Sequence, residues 1–510
     1  MSETPTPPSL TAQAVHGLKW SYASSFLIVF LQVGVTAVLA RLLTPSEFGV
    51  VAMAALFIKF GQYFAQLGAG QAVVQRQDLS DTHIRTAFTS AFLLGLGFTL
   101  VFVALAPVTA LLFPEGEGVV GIARAMSLSF VIGGLTATPQ ALLRRRFAFR
   151  AIAMTEMGSY LLGYAGVALV LAVAGFGAWS LVIATLLQAG IGAAIYVLVC
   201  RRRIGFALDR TSLRDIYSFG GRVSLIGFGE FIASNLDTFW TGRYLGSAAI
   251  GYYTRATNIA IAPLYFATMS LWRVLLPAFS RLQTDLERLR SAHLQSITLV
   301  AVLVMPTSWG AAAASEEIVL TLLGPTWTPA IPILRVLALA VPFILLTDFA
   351  AVVCEATAAL NSKIAITLGK IVAMAVFLAL FARFGIVGVA VAYALSTMVG
   401  HVAYAAVTKR RLKMTGAQLA STYTVGVESG VVVGLLVFGV HLVLGSLGTP
   451  AWTTLVVQVA IGLGVLVLTF AKARNGSLWQ SVRCRLTEAG YAPDGPGVAA
   501  WLIRRMDSIT

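Results

Sequence analysis

Fourteen apolar stretches, most of them about 20 residues long, follow one another along almost the whole chain. A helix needs about 20 apolar residues to cross the ~30 Å hydrocarbon core of a bilayer, so each stretch predicts one membrane-spanning helix. Short gaps that contain Gly, Pro and charged residues separate the stretches, as expected of turns between helices. The predicted spans are 18–40, 48–73, 86–112, 119–142, 151–174, 178–199, 218–242, 247–271, 293–314, 331–355, 363–382, 386–407, 422–444 and 451–471.

The basic residues gather in every second gap. Outside the predicted spans, all Lys and Arg side chains except Arg41, Arg243 and Arg383 lie in this one set of gaps or in the two tails. Loops with an excess of Lys and Arg remain in the cytoplasm, so both termini are predicted to be cytoplasmic. The face that carries these gaps is called the basic side below, and the opposite face the neutral side.

Composition supports a membrane protein over a soluble one. The chain has 510 residues, of which 58% are hydrophobic and 11% charged, whereas soluble domains are about 25% charged. The net charge of +15 lies in short loops beside apolar spans, where it sets topology next to anionic lipids. Nucleic acid is therefore not an expected partner, and membrane lipids are.

Two pairs of turns match at nearly the same separation, which indicates an internal repeat. The turn from Arg41 to Gly49 aligns with that from Arg243 to Gly251, 202 residues later, and Phe176-Gly177 aligns with Phe384-Gly385, 208 residues later. Six predicted spans separate the copies, so the two halves share one orientation in the membrane. The predicted fold is an all-α integral membrane protein with 14 transmembrane helices, arranged as two pseudo-symmetric six-helix lobes plus two extra C-terminal helices. The expected segments are a disordered cytoplasmic N-terminus (1–17), the lobes (18–199 and 218–407), the extra helices (422–471) and a cytoplasmic tail (472–510).

Several ionisable and amide side chains fall inside the predicted spans, where charges are costly and usually face protein or a water-filled cavity. Lys59 lies near the middle of the second span, and Gln62 and Gln66 follow it on the same helical face. Glu230 and Asp237 form a similar stripe in the seventh span, and Asp348 lies at mid-depth in the tenth. These groups either form salt bridges within the bundle or line a polar central cavity, and the sequence leaves both readings open.

Signatures of enzymes and of bound metals are missing from the sequence. It contains no GxxxxGK[ST] phosphate loop and no HExxH, CxxC or GxSxG motif in a suitable context. We therefore expect no catalytic residue, no metal and no cofactor, although a proton or sodium ion is a plausible coupling ion for transport.

Two motifs carry a family resemblance. The stretch RLLTPSEFGVVAMA from Arg41 and the stretch LGAGQAVVQR at 67–76 resemble the bacterial polysaccharide-exporter flippases (Wzx-type) of the multidrug/oligosaccharidyl-lipid/polysaccharide exporter superfamily. In that family, RLL-x-P-x-x-FG and LG-x-G-x-A-x-[IV]-Q-[RK] recur at these places. The stretches RYLG from Arg243 and LLGPTWTPAIPILRVLA at 322–338 are also similar. The resemblance covers about residues 15–410.

The resemblance implies a function and a site. Such proteins lie in the bacterial inner membrane and move an undecaprenyl-pyrophosphate-linked oligosaccharide between leaflets by alternating access, for exopolysaccharide, capsule or lipopolysaccharide synthesis. Polysaccharide polymerase and export machinery are implied partners. Relatives have a basic central cavity, and its counterparts here are Lys59 and Arg255, with Arg41 and Arg243 near the outer mouth and Arg222 near the inner one. Glu230, Asp237 and Asp348 do not fit a purely cationic cavity, and they are expected to pair with the basic groups or to carry a coupling ion.

Two other functions are compatible with the sequence. A cation-coupled antiporter for small molecules or drugs, from the same superfamily, would have a cavity dominated by carboxylates. A membrane-bound polysaccharide ligase or acyltransferase would need a sizeable outer loop with catalytic residues. The largest gap on the neutral side, around 315–330, holds Glu316 and Glu317 but no histidine, which disfavours the enzyme.

Overall fold

The computed structural model describes residues 27–65, 69–76, 78–114, 116, 118–217, 220–283, 285–357 and 360–472. These residues form helices and turns, and no strand occurs among them. Residues 1–17 and the tail beyond 472 lie outside the described residues, and so does Gln66. Arg222 lies in a described helix, but its side chain is outside the described set.

A helix runs through each of the fourteen predicted spans. In chain order the helices are α1 (Leu27–Leu42), α2 (Pro45–Ala65), α3 (Ala69–Gln75), α4 (Asp81–Leu105), α5 (Val108–Leu112), α6 (Val119–Arg145), α7 (Phe149–Ser159), a π-helical turn (Tyr160–Gly166), α8 (Val167–Val173), α9 (Ala178–Cys200), α10 (Arg210–Tyr217), α11 (Gly220–Tyr244), α12 (Gly246–Arg281), α13 (Leu286–Ala313), α14 (Ser315–Leu322), a 3₁₀ turn (Pro325–Trp327), α15 (Ala330–Ala356), α16 (Leu360–Phe381), a 3₁₀ turn (Ala382–Phe384), α17 (Gly385–Arg411), α18 (Gly416–Ser446) and α19 (Ala451–Lys472).

Nine helices within the described residues are long and apolar enough to cross a membrane, and one of these is a continuous run over Asn361–Arg411. The chain is therefore a multi-pass membrane protein. The full count of fourteen crossings stays a prediction, because α1 is described over only 16 residues and α2, α11 and α12 are not among these nine.

The helices divide into two compact units. The first comprises Met1–Ser270, Val319–Leu337 and Ile364–Ser396, and the second comprises Leu271–Ile318, Ala338–Lys363 and Thr397–Thr510. The two predicted six-helix lobes stay predictions.

In the first unit, α2, α4, α6 and α11 share a core that includes Met53, Phe102, Phe113, Phe130 and Phe231. Three of its phenylalanine rings touch in series, with centroids 4.8 Å apart for Phe57–Phe102 and for Phe102–Phe130. Lipid tails are as apolar as these side chains, so close packing holds such helices together more than removal of apolar surface from water.

In the second unit, α18 packs along α13 and against α19. Polar side chains also join α18 to α17 and α14. The ring of His401 contacts the Tyr423 hydroxyl at 3.2 Å and the Thr347 hydroxyl at 3.3 Å. On the neutral side, His441 of α18 lies with Nδ1 2.6 Å from Oε1 of Glu317, a carboxylate only 4% exposed.

We expect Glu317→Gln to lower the free energy of unfolding by about 1.5–3 kcal/mol, the usual contribution of a hydrogen bond to a charged group. The neighbouring Glu316 serves as the control, because its side chain is 44% exposed and its carboxylate lies 4.0 Å from His441 Nε2. Glu316→Gln should cost less than about 1 kcal/mol. Unfolding of the purified variants in detergent would measure both, and equal losses would contradict the prediction.

The short helix α10 on the basic side begins at a well-formed N-cap. The Asp209 carboxylate accepts hydrogen bonds from the Thr211 hydroxyl and from the Ser212 amide (2.8 Å) and hydroxyl (2.7 Å). These bonds favour the charged form and lower the pKa of Asp209 from 3.8 to about 2.

The carboxylate of Asp209 should therefore stabilise α10 above about pH 4, and this contribution should disappear as the pH falls towards 2. Asp209→Asn mimics protonation and is expected to increase amide hydrogen exchange in α10 at pH 6. Asp78→Asn, at an exposed aspartate, is the control. Equal exchange in wild type and Asp209→Asn would contradict the assignment of the cap.

Candidate functional site

The two repeat-related turns meet on the neutral side of the first unit. A Cβ on Gly49 would lie 1.7 Å from the Ser247 carbonyl oxygen, and one on Gly251 would lie 1.9 Å from the Pro45 carbonyl oxygen. The Ser46 and Ser247 hydroxyl oxygens are 2.7 Å apart. The first turns of α2 and α12 therefore touch backbone to backbone, and glycine is required on each side. We call this contact the clasp.

Two arginines of the repeat add matching bonds around the clasp. Arg41 Nη2 donates to the Thr321 carbonyl at 2.8 Å, and Arg243 Nη1 donates to the Leu111 carbonyl at 2.9 Å. Each arginine thus bonds the short neutral-side helix of the other half of the repeat, α14 or α5. The family resemblance implies that Arg41 and Arg243 lie near an outer mouth, which stays a prediction; the structure gives each a backbone carbonyl as partner.

An aromatic side chain from each half completes the same pattern. Trp327 is fully buried, and its indole Nε1 donates to the Ala40 carbonyl at 2.8 Å. Phe113 packs in the corresponding position of the other half, where a Cβ on Gly242 would lie 3.0 Å from its ring. Both halves of the repeat therefore make equivalent contacts at the neutral-side end of the first unit.

Arg255 lies just below the clasp as an uncompensated cation. Its guanidinium carbon lies 4.9 Å from the centre of the Phe48 ring, a cation–π contact. Its Nε is buried without a hydrogen-bond partner, and it forms no ion pair with any residue that the structure describes. Arg255 is half-buried, and a partly desolvated cation without a counter-charge among the described residues favours an anionic ligand.

Lys59 lies on the face of α2 that also carries Phe48. The two residues are 11 positions apart, about three helical turns, whereas Met53 and Gly61 face the core on the opposite side. Lys59 is exposed and forms no ion pair within the described residues. Phe48, about three turns away on this face, contacts Arg255. Gln62 is half-buried on this helix.

The three acidic candidates, Asp237, Glu230 and Asp348, differ in burial and do not all belong to one unit. Asp237 is 3% exposed and accepts a hydrogen bond from the Tyr253 hydroxyl at 2.5 Å, while its Oδ1 is buried without a partner. Glu230 is half-buried and Asp348 is exposed, and both have interaction partners. Asp348 belongs to the second unit. Among the residues described, no group of three His, Cys, Asp or Glu side chains could hold a metal ion.

An apolar cavity of about 410 Å³ lies between α2, α5 and α11 in the first unit. Phe57, Phe60, Phe113, Phe231 and Phe239 line it, and the single polar lining residue, Asn235, donates its amide to the Phe231 carbonyl. This cavity is therefore apolar and is not the basic central cavity that the family resemblance implies.

Sequence reasoning missed the roles of Phe48, Trp327, Tyr164 and Tyr253. Phe48 and Trp327 stand inside the motifs that carry the family resemblance, so a signal for the first two was present. Tyr164 lies close enough to Arg255 for electrostatic interaction, and Tyr253 binds Asp237. Neither tyrosine has a distinctive sequence context.

Comparison with known proteins identifies the family. Residues 38–332 match the family described as "Polysaccharide biosynthesis protein". This chain belongs to that family.

Several characterised proteins are similar to this chain. The succinoglycan biosynthesis transport protein ExoT of Rhizobium meliloti is 32% identical over 337 residues, which cover 65% of this chain and 67% of ExoT. The teichuronic acid biosynthesis protein TuaB of Bacillus subtilis is 26% identical over 65% of this chain and 69% of its own length. The lipopolysaccharide biosynthesis protein WzxC of Escherichia coli is 24% identical over 64% of this chain and 67% of its own length.

Solved structures identify the fold of this polysaccharide biosynthesis protein. The lipid II flippase MurJ in an inward closed conformation is similar with a TM-score of 0.68 and 13% identity, over 90% of this chain and 98% of MurJ. An inward-facing multidrug resistance MATE family transporter of the MOP superfamily has a TM-score of 0.54 and 18% identity, over 80% of this chain and 96% of its own. The predicted relationship to polysaccharide biosynthesis and transport proteins is confirmed by the family match and the relatives, and the fold is the one shared by these two membrane transporters.

Proposed function

We propose that this protein is a flippase of the bacterial inner membrane, with both termini cytoplasmic. It moves an undecaprenyl-pyrophosphate-linked oligosaccharide repeat unit between leaflets for surface polysaccharide synthesis. The observation that carries this proposal is Arg255 in a member of a polysaccharide biosynthesis family: this cation is half-buried, its Nε has no hydrogen-bond partner, and it forms no ion pair with a described residue. Relatives named for the biosynthesis of succinoglycan and teichuronic acid, and a lipid II flippase with the same fold, support it.

The electrostatics suit this substrate. A pyrophosphate-linked sugar is anionic and strongly hydrated, and it cannot cross hydrocarbon unless protein groups replace the water. Arg255 and Lys59 are the cations that would meet this charge, and the prenyl chain can remain in lipid. No covalent bond changes during this transfer, so the protein needs no nucleophile.

The clasp supports alternating access. With the first turns of α2 and α12 in contact, the site is closed on the neutral side, the state in which a substrate would enter from the basic side. Release would then require Gly49 to separate from Ser247 and Gly251 from Pro45. Asp237 is the candidate carrier of a coupling proton or sodium ion, because one of its oxygens is buried without a partner.

Deleting the gene should leave lipid-linked repeat units at the inner leaflet and reduce the surface polymer.

Arg255→Gln in the intact protein should reduce export roughly 30-fold or more, because truncating one partner of a buried charge pair costs about 2–5 kcal/mol. Lys59→Gln should have a smaller effect, since Lys59 is more exposed. Polymer yield and the sidedness of the lipid-linked intermediate would be measured together.

Arg383→Gln is the matched control, because Arg383 also lies over a phenylalanine, 4.8 Å from the Phe384 ring centre, but is exposed. It should export normally. If the lipid-linked intermediate lay in the same leaflet in the deletion strain as in the wild type, the flippase proposal would be wrong. Normal export by both Arg255→Gln and Lys59→Gln would remove only these residues from the site.

A further inference from the structure

The segment that joins the two halves of the repeat, residues 201–217, lies against α4 on the basic side. The Asp209 amide, at the start of α10, donates to the Thr86 hydroxyl at 3.2 Å. At the other end of α10, the Tyr217 hydroxyl donates to the Ser90 hydroxyl at 3.0 Å, one helical turn further along α4. Since α4 enters the predicted membrane region at residue 86, the N-terminus of α10 lies nearer the membrane surface than its C-terminus.

A groove of about 380 Å³ lies between α4 and this segment. Leucines form most of its lining, which consists of Ser90, Leu93, Leu94, Leu208, Leu213 and Tyr217. The two polar side chains bond each other, so the walls offer mainly apolar surface. Leu93 and Leu208 are 47% and 55% exposed, and an apolar molecule can therefore reach the groove from outside.

The depth of the groove selects lipid over water as its surroundings. Leu93 and Leu94 follow residue 86 by seven and eight positions, which places them about 10–12 Å into the predicted span. At this depth the protein is surrounded by hydrocarbon chains. An extended apolar chain is therefore the molecule that meets this groove.

Two arginines lie beside the groove at its surface end. Arg210 precedes Leu213 by three positions and Tyr217 by seven, so all three share one face of α10. Arg214 follows Arg210 by one turn. Both arginines are exposed, and neither forms an ion pair with the residues that the structure describes.

The surroundings add positive charge that nearby carboxylates do not balance. Arg85 and the three arginines at 201–203 are also exposed and without an ion pair in the described part of the chain. Both carboxylates of the joining segment are engaged elsewhere. Asp209 caps α10, and Asp215 lies 2.9 Å from Arg76. The surface end of the groove therefore favours an anion.

We propose that this groove and the arginines beside it bind an anionic phospholipid of the leaflet on the basic side. One acyl chain would lie between α4 and α10, and the headgroup phosphate would contact Arg210 and Arg214. From the surface inwards the site presents guanidinium groups and then leucines, and a phospholipid presents its phosphate and then its chains. Guanidinium groups bind phosphate oxygens in pairs, and basic groups beside a membrane attract anionic lipids. Binding here requires a bilayer lipid and not the transport substrate.

The test is lipid binding to the full-length protein in detergent, measured by native mass spectrometry with phosphatidylglycerol and with phosphatidylcholine of the same acyl chains. The wild type should bind phosphatidylglycerol more tightly. Arg210→Gln/Arg214→Gln should weaken phosphatidylglycerol binding roughly 30-fold, about fivefold for each basic group lost, and leave phosphatidylcholine binding unchanged. Arg410→Gln/Arg411→Gln is the matched control, because it removes two exposed arginines from the basic-side end of α17. It should bind phosphatidylglycerol like the wild type.

The place of the acyl chain is tested separately. Leu93→Trp should weaken the binding of both lipids roughly tenfold, because the indole would occupy the space of the chain. Leu128→Trp in α6 is the control, since Leu128 is equally exposed but does not line the groove. The arginine variants change exposed side chains only, so their result holds whatever Leu93→Trp does to stability.

Four outcomes would overturn the inference. Equal affinity of the wild type for both lipids would mean that the arginines do not select charge. Equal losses in the two double arginine variants would reduce the effect to general surface charge. Unchanged binding in Leu93→Trp would place the chain elsewhere. If undecaprenyl pyrophosphate displaced an equal concentration of phosphatidylglycerol, the groove would belong to the transport substrate and not to a bilayer phospholipid.

Discussion

Export should stop when the double variant Ser46→Cys/Ser247→Cys is oxidised, and it should return when the bond is reduced. The two serine hydroxyl oxygens are 2.7 Å apart across the clasp, and a disulfide requires Cβ atoms about 3.8 Å apart. A bond at this place would hold the first turns of α2 and α12 together. If the substrate must leave through this side, polymer output should fall to the level of the deletion strain.

The experiment needs a background without the native cysteines Cys200, Cys354 and Cys484, each replaced by serine or alanine. Each single cysteine variant is a control and should export normally with or without oxidant. Crosslinking would be followed by the mobility of the protein after cleavage of the chain between the two positions. Quantitative crosslinking with undiminished export would show that the clasp does not open during transport.

The opposite perturbation, Gly49→Ala or Gly251→Ala, should hold the clasp open. The added Cβ would lie 1.7 or 1.9 Å from a backbone oxygen, and distances under 3.0 Å essentially never occur for real Cβ atoms. Overpacking of this kind costs about 1–3 kcal/mol, which would shift the closed-to-open ratio roughly 5- to 150-fold. We expect lower export, because the neutral side no longer closes while substrate loads.

Accessibility distinguishes this effect from misfolding. A cysteine at Ser247 should react faster with a membrane-impermeant maleimide when Gly49 is alanine than when it is glycine. Gly97→Ala in α4 is the matched control, because its Cβ would meet nothing within 4 Å; labelling and export should both stay at the wild-type level. If Gly49→Ala showed slow labelling and normal export, the structure would accommodate the added Cβ with the clasp still closed, and the prediction would be wrong.

The sequence predicted the helices well because the signal is physical and local. Apolar stretches of membrane-crossing length locate the helices, and the alternation of basic gaps assigns their sides. The repeat was visible because the turns at Arg41 and Arg243 keep matching residues. That Gly49 and Gly251 touch the opposite turn was not visible, since a contact between positions about 200 residues apart leaves no mark in a single sequence.

The site was less predictable, for a related reason. Charged residues inside spans, such as Lys59 and Arg255, are conspicuous because their burial is costly. Tyr160 is an ordinary residue for an apolar helix, and only the structure shows that its hydroxyl is buried without a partner. Asp237 was identified as a candidate, whereas its bond to Tyr253 depends on how α11 and α12 pack.

The clasp also bears on the origin of the chain. Gly49 meets Ser247 while Gly251 meets Pro45, so residue i of one copy touches residue j of the other in both directions. This reciprocity defines the isologous interface of a twofold-symmetric homodimer. An ancestral protein half as long would have formed the same contact between two identical copies, through one such glycine in each. After gene duplication and fusion, the two present glycines would descend from a single ancestral codon.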